Sequence, residues 1–376
     1  MSHPLLTEIE IDTCDNAKMI NERITKLGLL TKQNGNLLIV KYPRELKYSQ
    51  KNYILASRGL IIDTTTKKIV NYSLEGALDE EAFLNKVAWG DMVIEQCIDG
   101  TLLNLFYHDG QWRVSTKFCI DAAQSKFKSN LSFRQMLDQA VNINDLNLDP
   151  KFSYSILLCH VENRIVSPVE VNKVFHIESV NIITGTKAYQ EIGLPSASIL
   201  QCDGIAQLKI NSKSRLDEYV SNLPWSNPGV MLYSYDRRYR CKITNPNYKL
   251  VKDLTDNQPN ISYLVLETIL NNDKDNKWGS LVKYYPEYVP IQVAMVEKYI
   301  TYINTLHDYY MKCKVNVNRE FIELPKCFKK SIVDLHMKFK SERSLGNTTF
   351  KMTKQQVKIE LDKYDVSLLY SLIMTQ

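Results

Sequence analysis

The sequence predicts an α+β protein: a mixed domain of short antiparallel strands over residues 1–247, then a helical domain over 248–376. Three observations carry this. In the stretch 93–117, VIEQCIDGTLLNLFYHDGQWRVSTK, three apolar or alternating runs are punctuated by Asp99-Gly100 and Asp109-Gly110. Asp-Gly between such runs is a strong short-range hairpin signal. After Tyr248 the pattern changes, and apolar residues recur at helical rather than alternating spacing. The length, 376 residues, sets a soft prior of two domains, or three small ones.

Taken in order, residues 16–27 form a helix candidate, with Ile20, Ile24 and Leu27 on one face, Asp15 or Asn16 as cap and Gly28 as stop. Residues 37–42 read as a strand, and 58–63 with 68–72 as a hairpin over a polar turn. The 93–117 stretch reads as three strands joined by tight turns. Polar helical residues follow at 120–143, and strands at 153–166, 175–183 and 199–210. Residues 230–234 and 238–243 close the β region. In the tail, 263–270, 291–311, 328–339 and finally 354–363 read as helices. Phe328, Ile332, Leu335 and Phe339 share one apolar face, which leaves Lys329, Lys330, Lys338 and Lys340 off the stripe. Such lysines read either as a solvated face or as a phosphate-binding one.

A hydrophobic share of 44% supports sizeable cores and argues against disorder. No apolar run reaches the roughly 18 residues that a membrane helix needs, and the N-terminus has no basic-then-apolar signal region. These features lead to the expectation of an intracellular, cytoplasmic protein with no membrane partner. A net charge of +5 permits nucleic acid as a partner without requiring it. The eight cysteines are scattered without a C-x-x-C pair, so spacing gives no zinc site and the thiols read as buried and reduced. Tyr233, Tyr235 and Tyr239 interleave with Arg237, Arg238 and Arg240. That pattern suits base stacking with phosphate contact, and it equally suits a half-buried strand.

Asp99, Gly100 and Thr101 close a pattern that resembles the nucleotide-attachment motif of the ATP-dependent RNA and DNA ligases and mRNA capping enzymes. The family has a lysine two residues before the Asp, and here that position is Cys97. Other segments follow the family's order. Ser57-Arg58-Gly59 is similar to an arginine-glycine strand of phage-type RNA ligases. Residues 161–166, VENRIV, are similar to the run after the third motif in the tRNA-repair type. Asp203-Gly204-Ile205 looks like the fourth motif, and Arg240-Cys241-Lys242-Ile243 with Tyr248 looks like the fifth. The segments after Asn247 resemble the helical tail of viral members.

The resemblance implies an adenylyltransferase-type (ATP-grasp-like ligase) domain of antiparallel sheets with a nucleotide cleft. It implies ATP and Mg2+ as cofactors if the chain is active, none if it is a pseudoenzyme, RNA as partner, and a viral source. By position it places Cys97 where the nucleophile stands, with Arg240 and Lys242 as the charges that neutralise phosphate. Arg58, Asp99, Gly100, Lys117 and Asp203 fall at nucleotide-binding positions, and Asp203 is also the metal ligand that is left. Arg237, Arg238, Lys329 and Lys330 are the RNA-binding candidates. The departures are specific. The third-motif glutamate falls at Leu157, which cannot bind a metal, and Gly76-Ala77-Leu78-Asp79 stands where relatives carry Lys-Phe-Phe-Asn. Loss of both nucleophile and metal ligand implies a lapsed ligase that retains RNA-end or nucleotide binding. The alternatives are an active RNA ligase with an altered nucleophile, such as the Cys97 thiolate, and a structural or assembly protein.

Overall fold

The computed structural model describes residues 3–46, 49, 51–188, 190–197, 210–271, 276–315, 321 and 323–375. Two compact units divide the chain, Met1–Lys252 and Asp253–Gln376.

The first unit holds three antiparallel sheets. In the first, β1 (Leu30–Asn34), β2 (Leu37–Lys41), β3 (Leu60–Asp63) and β4 (Lys68–Asn71) lie in sequence order. Leu38, Val40, Leu60 and Ile62 on one face pack against Leu5 of α1 (Pro4–Glu8) and Ile20 and Ile24 of α2 (Ala17–Lys26). Leu37, Ile39 and Ile61 on the other face meet Phe106 of the second sheet and Ile120 in the bend that follows it. Burial on both faces is why β2 and β3 are nearly all apolar.

The second sheet has the order β10 (Lys187–Ala188), β9 (Lys173–Asn181), β8 (Phe152–Cys159), β6 (Thr101–His108), β7 (Gln111–Thr116). Its Leu103, Leu105, Ile156 and Leu158 pack on Phe133, Met136 and Leu137 of α5 (Phe133–Ala140). Alternation turns Asn104, Phe106, Ser155 and Leu157 to the opposite face. The third sheet has the order β12 (Arg240–Thr244), β11 (Gly229–Ser234), β5 (Met92–Gln96). Ile94, Val230, Leu232, Cys241 and Ile243 cover Phe83 of α4 (Glu80–Leu84) and Leu216 and Val220 of α6 (Lys213–Ser221).

The strongest sequence signal is half right. Asp109 (φ 50°) and Gly110 (φ 77°) make the two-residue turn joining β6 and β7, as expected. Asp99-Gly100 closes no hairpin. β5 pairs with β11 and not with β6, so the chain crosses there from the third sheet to the second. Other expectations also need correction. Within 120–143 the helix is only α5, opened by a capping box of Ser132 and Gln135, with single 3-10 turns on either side. The strand expected over 153–166 ends at Cys159, and Val161–Asn163 is a 3-10 turn. The expected strand at 199–210 lies, apart from Ile210, outside the described residues.

Three histidines of this unit are held in acceptor or buried roles. His3 Nδ1 accepts from the Leu5 amide at 3.2 Å, and His160 Nδ1 accepts from the Glu162 amide at 3.2 Å. His176 Nε2 lies 2.9 Å from Ser179 Oγ. Burial pushes all three below the ordinary histidine value, His3 to about 4. The folded state therefore refuses protons that the unfolded chain accepts. Its stability is complete above about pH 6.5 and is lost as pH falls toward the lowered values. At about pH 5, His3 alone costs on the order of 2 kcal/mol. Thermal melting at about pH 5 is expected several degrees below that at about pH 7.5; equal melting temperatures would show that these imidazoles take up protons freely.

The second unit is helical: α8 (Ile261–Leu270), α9 (Lys277–Tyr284), α10 (Val289–Val315), α11 (Lys326–Ser344), α12 (Lys354–Leu361) and α13 (Val366–Met374), preceded in the chain by α7 (Pro246–Asp253). Phe328, Ile332 and Leu335 of α11 are buried as their spacing predicts, while Phe339 is half-buried against Phe350. Tyr302 stacks on Phe328 at 5.0 Å. The helix expected to be last is followed by α13.

Candidate functional site

The third sheet sets the site. Strand register puts Glu95 opposite Met231, and Tyr233 opposite Arg240, with Lys242 two residues along the same face. Cys97 continues that face past the end of β5, with its amide donating to the Gly229 carbonyl at 3.0 Å. The residue is 6% exposed, which is poor access for an attacking thiol. Glu95 is buried and ion-paired with Arg237, whose guanidinium lies 4.6 Å from the Tyr233 ring centroid. Burial raises the Tyr233 hydroxyl pKa.

Two guanidiniums converge beside this face. Arg58 Nη1 donates to the Leu74 carbonyl at 2.9 Å, and Arg240 Nη2 donates to the next carbonyl, that of Glu75. The Leu78 amide returns a bond to the Arg240 carbonyl at 2.9 Å. Burial, and after it the positive charge of Arg240, push Arg58 down to about 10, so it stays cationic at neutral pH. Neither arginine forms an ion pair among the described residues, and Arg240 Nε is buried without an acceptor. Carbonyl bonds fix the two side chains while leaving their charge uncompensated.

Asp99 does something else. Its Oδ2 accepts from the amides of Val166 and Ser167, each at 2.9 Å, and its Oδ1 accepts from the Tyr248 hydroxyl at 2.7 Å. Asn163 Nδ2 donates to Thr101 Oγ1 at 2.9 Å. The segments matched to three motifs are thereby tied together by hydrogen bonds. A Cβ on Gly100 would sit 2.8 Å from the Leu158 carbonyl oxygen and 3.0 Å from Leu157 Cγ, so only glycine fits this crossing.

Polar atoms that sequence reasoning missed share the unit's interior. Asn71 Oδ1, Ser73 Oγ, Asn104 Nδ2, Ser115 Oγ and Glu178 Oε1 are buried without a hydrogen-bond partner among the described residues. Ser73 lies 3.1 Å from where a Gly59 Cβ would be, next to Arg58. Asn104 accepts from Ser155 Oγ at 3.1 Å and pairs in register with Ser115. Lys187 links the surroundings: its Nζ is 3.2 Å from Glu178, 3.8 Å from Glu75 and 3.4 Å from the Arg237 carbonyl. The one available signal was a polar residue inside an apolar strand, as in Leu103-Asn104-Leu105.

The remaining candidates are dispersed. Lys117 is exposed at the end of β7, and Lys242 is exposed with its Nζ 5.8 Å from the Tyr248 ring centroid. Arg238 pairs with Asp236 at 3.2 Å. Lys329 lies 5.8 Å from the Phe321 ring centroid and Lys330 pairs with Asp334 at 3.2 Å, both in the second unit. Asp203 lies outside the described residues. Among the described residues no group of three or more His, Cys, Asp or Glu side chains is arranged to hold a metal ion. Cys97 offers a thiol and Leu157 an apolar side chain at the two positions singled out by the motif order.

No protein-family model matches the chain. It is 22% identical over 304 residues to the "Immediate-early protein ICP-46 homolog" of Invertebrate iridescent virus 3, covering 73% of this chain and 64% of that protein. To the protein of the same name from Invertebrate iridescent virus 6 it is 24% identical over 324 residues, covering 76% and 68%. It is also 21% identical over 235 residues to the "Putative bifunctional polynucleotide kinase/RNA ligase" of Autographa californica nuclear polyhedrosis virus, covering 57% of this chain and 33% of that protein. The chain thus spans about two thirds of the iridescent virus proteins' length and a third of the baculovirus protein's. Among solved structures, a putative ATP-dependent DNA ligase from Aquifex aeolicus superposes with a TM-score of 0.41 at 13% identity, over 77% of this chain and 80% of that one. An archaeal ATP-dependent RNA ligase gives 0.42 at 11%, over 74% and 78%. Among the described residues no helix is long and apolar enough to cross a membrane. The chain is a mixed α/β protein of antiparallel sheets with helices at its C-terminal end, similar in sequence to viral proteins that include one named as an RNA ligase.

Proposed function

We propose that this is an RNA ligase-like protein in which the adenylation step has lapsed and the binding of RNA ends is kept. The observation that carries the reading is the pair Arg58 and Arg240, fixed by the adjacent carbonyls of Leu74 and Glu75 with no carboxylate to neutralise them among the described residues. Such a pair is built to meet an anion, and a terminal RNA phosphate fits its charge and fork geometry. Cys97, which the motif order puts where the family's lysine stands, is buried and tied into the sheet edge, and Leu157, which it puts where the family's metal-binding glutamate stands, packs against Gly100. Burial of the thiol also weighs against Cys97 as a replacement nucleophile.

The test has two arms. Incubated with labelled ATP and Mg2+, the purified protein is expected to carry no covalent AMP and to seal no nicked RNA. In fluorescence anisotropy it is expected to bind a 5′-phosphorylated oligoribonucleotide, and Arg240→Gln is expected to weaken that binding by about tenfold, the range for one charge-assisted hydrogen bond. An AMP adduct or a sealed product refutes the lapse. Absence of RNA affinity refutes the binding role and favours a structural one.

A further inference from the structure

A second cationic feature lies outside this constellation. Lys32 on β1 and Lys41 at the end of β2 leave the same face of the first sheet, because Lys32 pairs in register with Ile39, two residues before Lys41. That face otherwise packs Leu37, Ile39 and Ile61 onto Phe106 and Ile120. At its margin both ammonium groups gather on the ring of Phe118: Lys41 Nζ is 3.9 Å from the centroid and Lys32 Nζ is 4.6 Å from it. Phe118 is half-buried against the apolar cluster. Neither lysine forms an ion pair among the described residues. Burial, and next the charge of Lys32, lower the Lys41 pKa. Two like charges brought to one ring without a counter-ion oppose each other, and an anion between them removes the opposition.

The position gives this patch its partner. Phe118 directly follows Lys117, whose carbonyl oxygen is 3.4 Å from where a Gly59 Cβ would be, and Gly59 is the neighbour of Arg58. The segment that carries Phe118 thus passes the residue next to Arg58. We propose that Lys32 and Lys41, gathered on Phe118, bind the phosphodiester backbone of the single-stranded RNA whose end the arginine pair holds. This deepens the proposed function and rests on it.

The test compares Lys32→Met/Lys41→Met with the wild type and with Arg240→Gln. Methionine keeps the apolar stem over Phe118 and removes only the charge. With an unstructured, 5′-phosphorylated oligoribonucleotide as probe, the double variant is expected to bind about tenfold more weakly at low salt. The slope of log affinity against log salt should become shallower by about 1.4, or about 0.7 for each phosphate that the protein no longer neutralises. Lys32→Arg/Lys41→Arg is expected to bind as the wild type does. If Arg240→Gln weakens binding and the methionine variant changes neither affinity nor slope, the lysines only shield Phe118 and this inference is overturned while the arginine site stands. If the methionine variant weakens binding and Arg240→Gln does not, the lysine site is supported and the arginine reading fails. A wild type without RNA affinity overturns both.

Discussion

Gly229→Ala is expected to destabilise the first unit by upward of about 4 kcal/mol, which is large for one added methyl group. The backbone at Gly229 has φ +114°, a region that L side chains rarely adopt. An added Cβ would lie 2.1 Å from the Ile243 carbonyl oxygen and 2.8 Å from the Asn245 amide nitrogen, both main-chain atoms that cannot swing aside. The position is a junction. Gly229 opens β11, pairs with Thr244 and accepts the Cys97 amide, while Asn245 Nδ2 donates to the carbonyls of Leu223, Pro224 and Asn227 nearby. Relieving the clash means separating β11 from β12, and Arg240 sits on β12. Chemical denaturation measures the cost, with Gly35→Ala as the control. Gly35 also has positive φ (+60°), but nothing lies within 4 Å of its Cβ position, so its cost should stay near about 1 kcal/mol. Equal costs for the two variants would contradict the strand junction described here.

How far the sequence alone reaches depends on whether a signal is local. The β6–β7 turn, α2 with its Asn16 cap, and the buried stripe of α11 are each written within a few consecutive residues, and each is where its pattern predicts. Asp99-Gly100 carries the same local turn signal as Asp109-Gly110, yet the partner of β5 is β11, far along the chain. No local pattern distinguishes a strand that turns back from one that changes sheets. β1, Leu-Thr-Lys-Gln-Asn, has no apolar alternation because it is an exposed edge and is a strand only through its pairing with β2. Helices of five residues, such as α1, α3 (Asn52–Ala56) and α4, are too short to show a period. The site divides in the same way. Arg58, Cys97, Leu157 and Arg240 were legible because a resemblance in motif order singled them out. Asn104, Ser115, Glu178 and Lys187 were not, since each is a lone polar residue whose meaning comes from strands that only folding brings together. Lys32, in the middle of β1, and Lys41, at the end of β2, carry no signal of their own in the sequence, since only folding brings both to the Phe118 ring.

Asp99→Ala is expected to cost about 3–5 kcal/mol, and Asp99→Asn roughly half as much, while RNA affinity of the folded protein changes by less than about twofold. Its carboxylate accepts three hydrogen bonds, two from consecutive amides of the 166–167 loop and one from Tyr248. Removing it strands those donors at the crossing between two sheets. Asparagine keeps one acceptor oxygen, so it can satisfy the paired amides or the tyrosine side but not both as the carboxylate does. Tyr248→Phe removes the hydroxyl bond to Asp99 and should cost about 1 kcal/mol. Equilibrium unfolding gives the stabilities, and anisotropy below the unfolding transition gives the affinities. An Asp99→Ala variant as stable as the wild type but unable to bind RNA would show that the carboxylate serves the ligand and not the loop. The carboxylate ties the 166–167 loop and α7 to the crossing, and the glycine lets the backbone pass the Leu158 carbonyl.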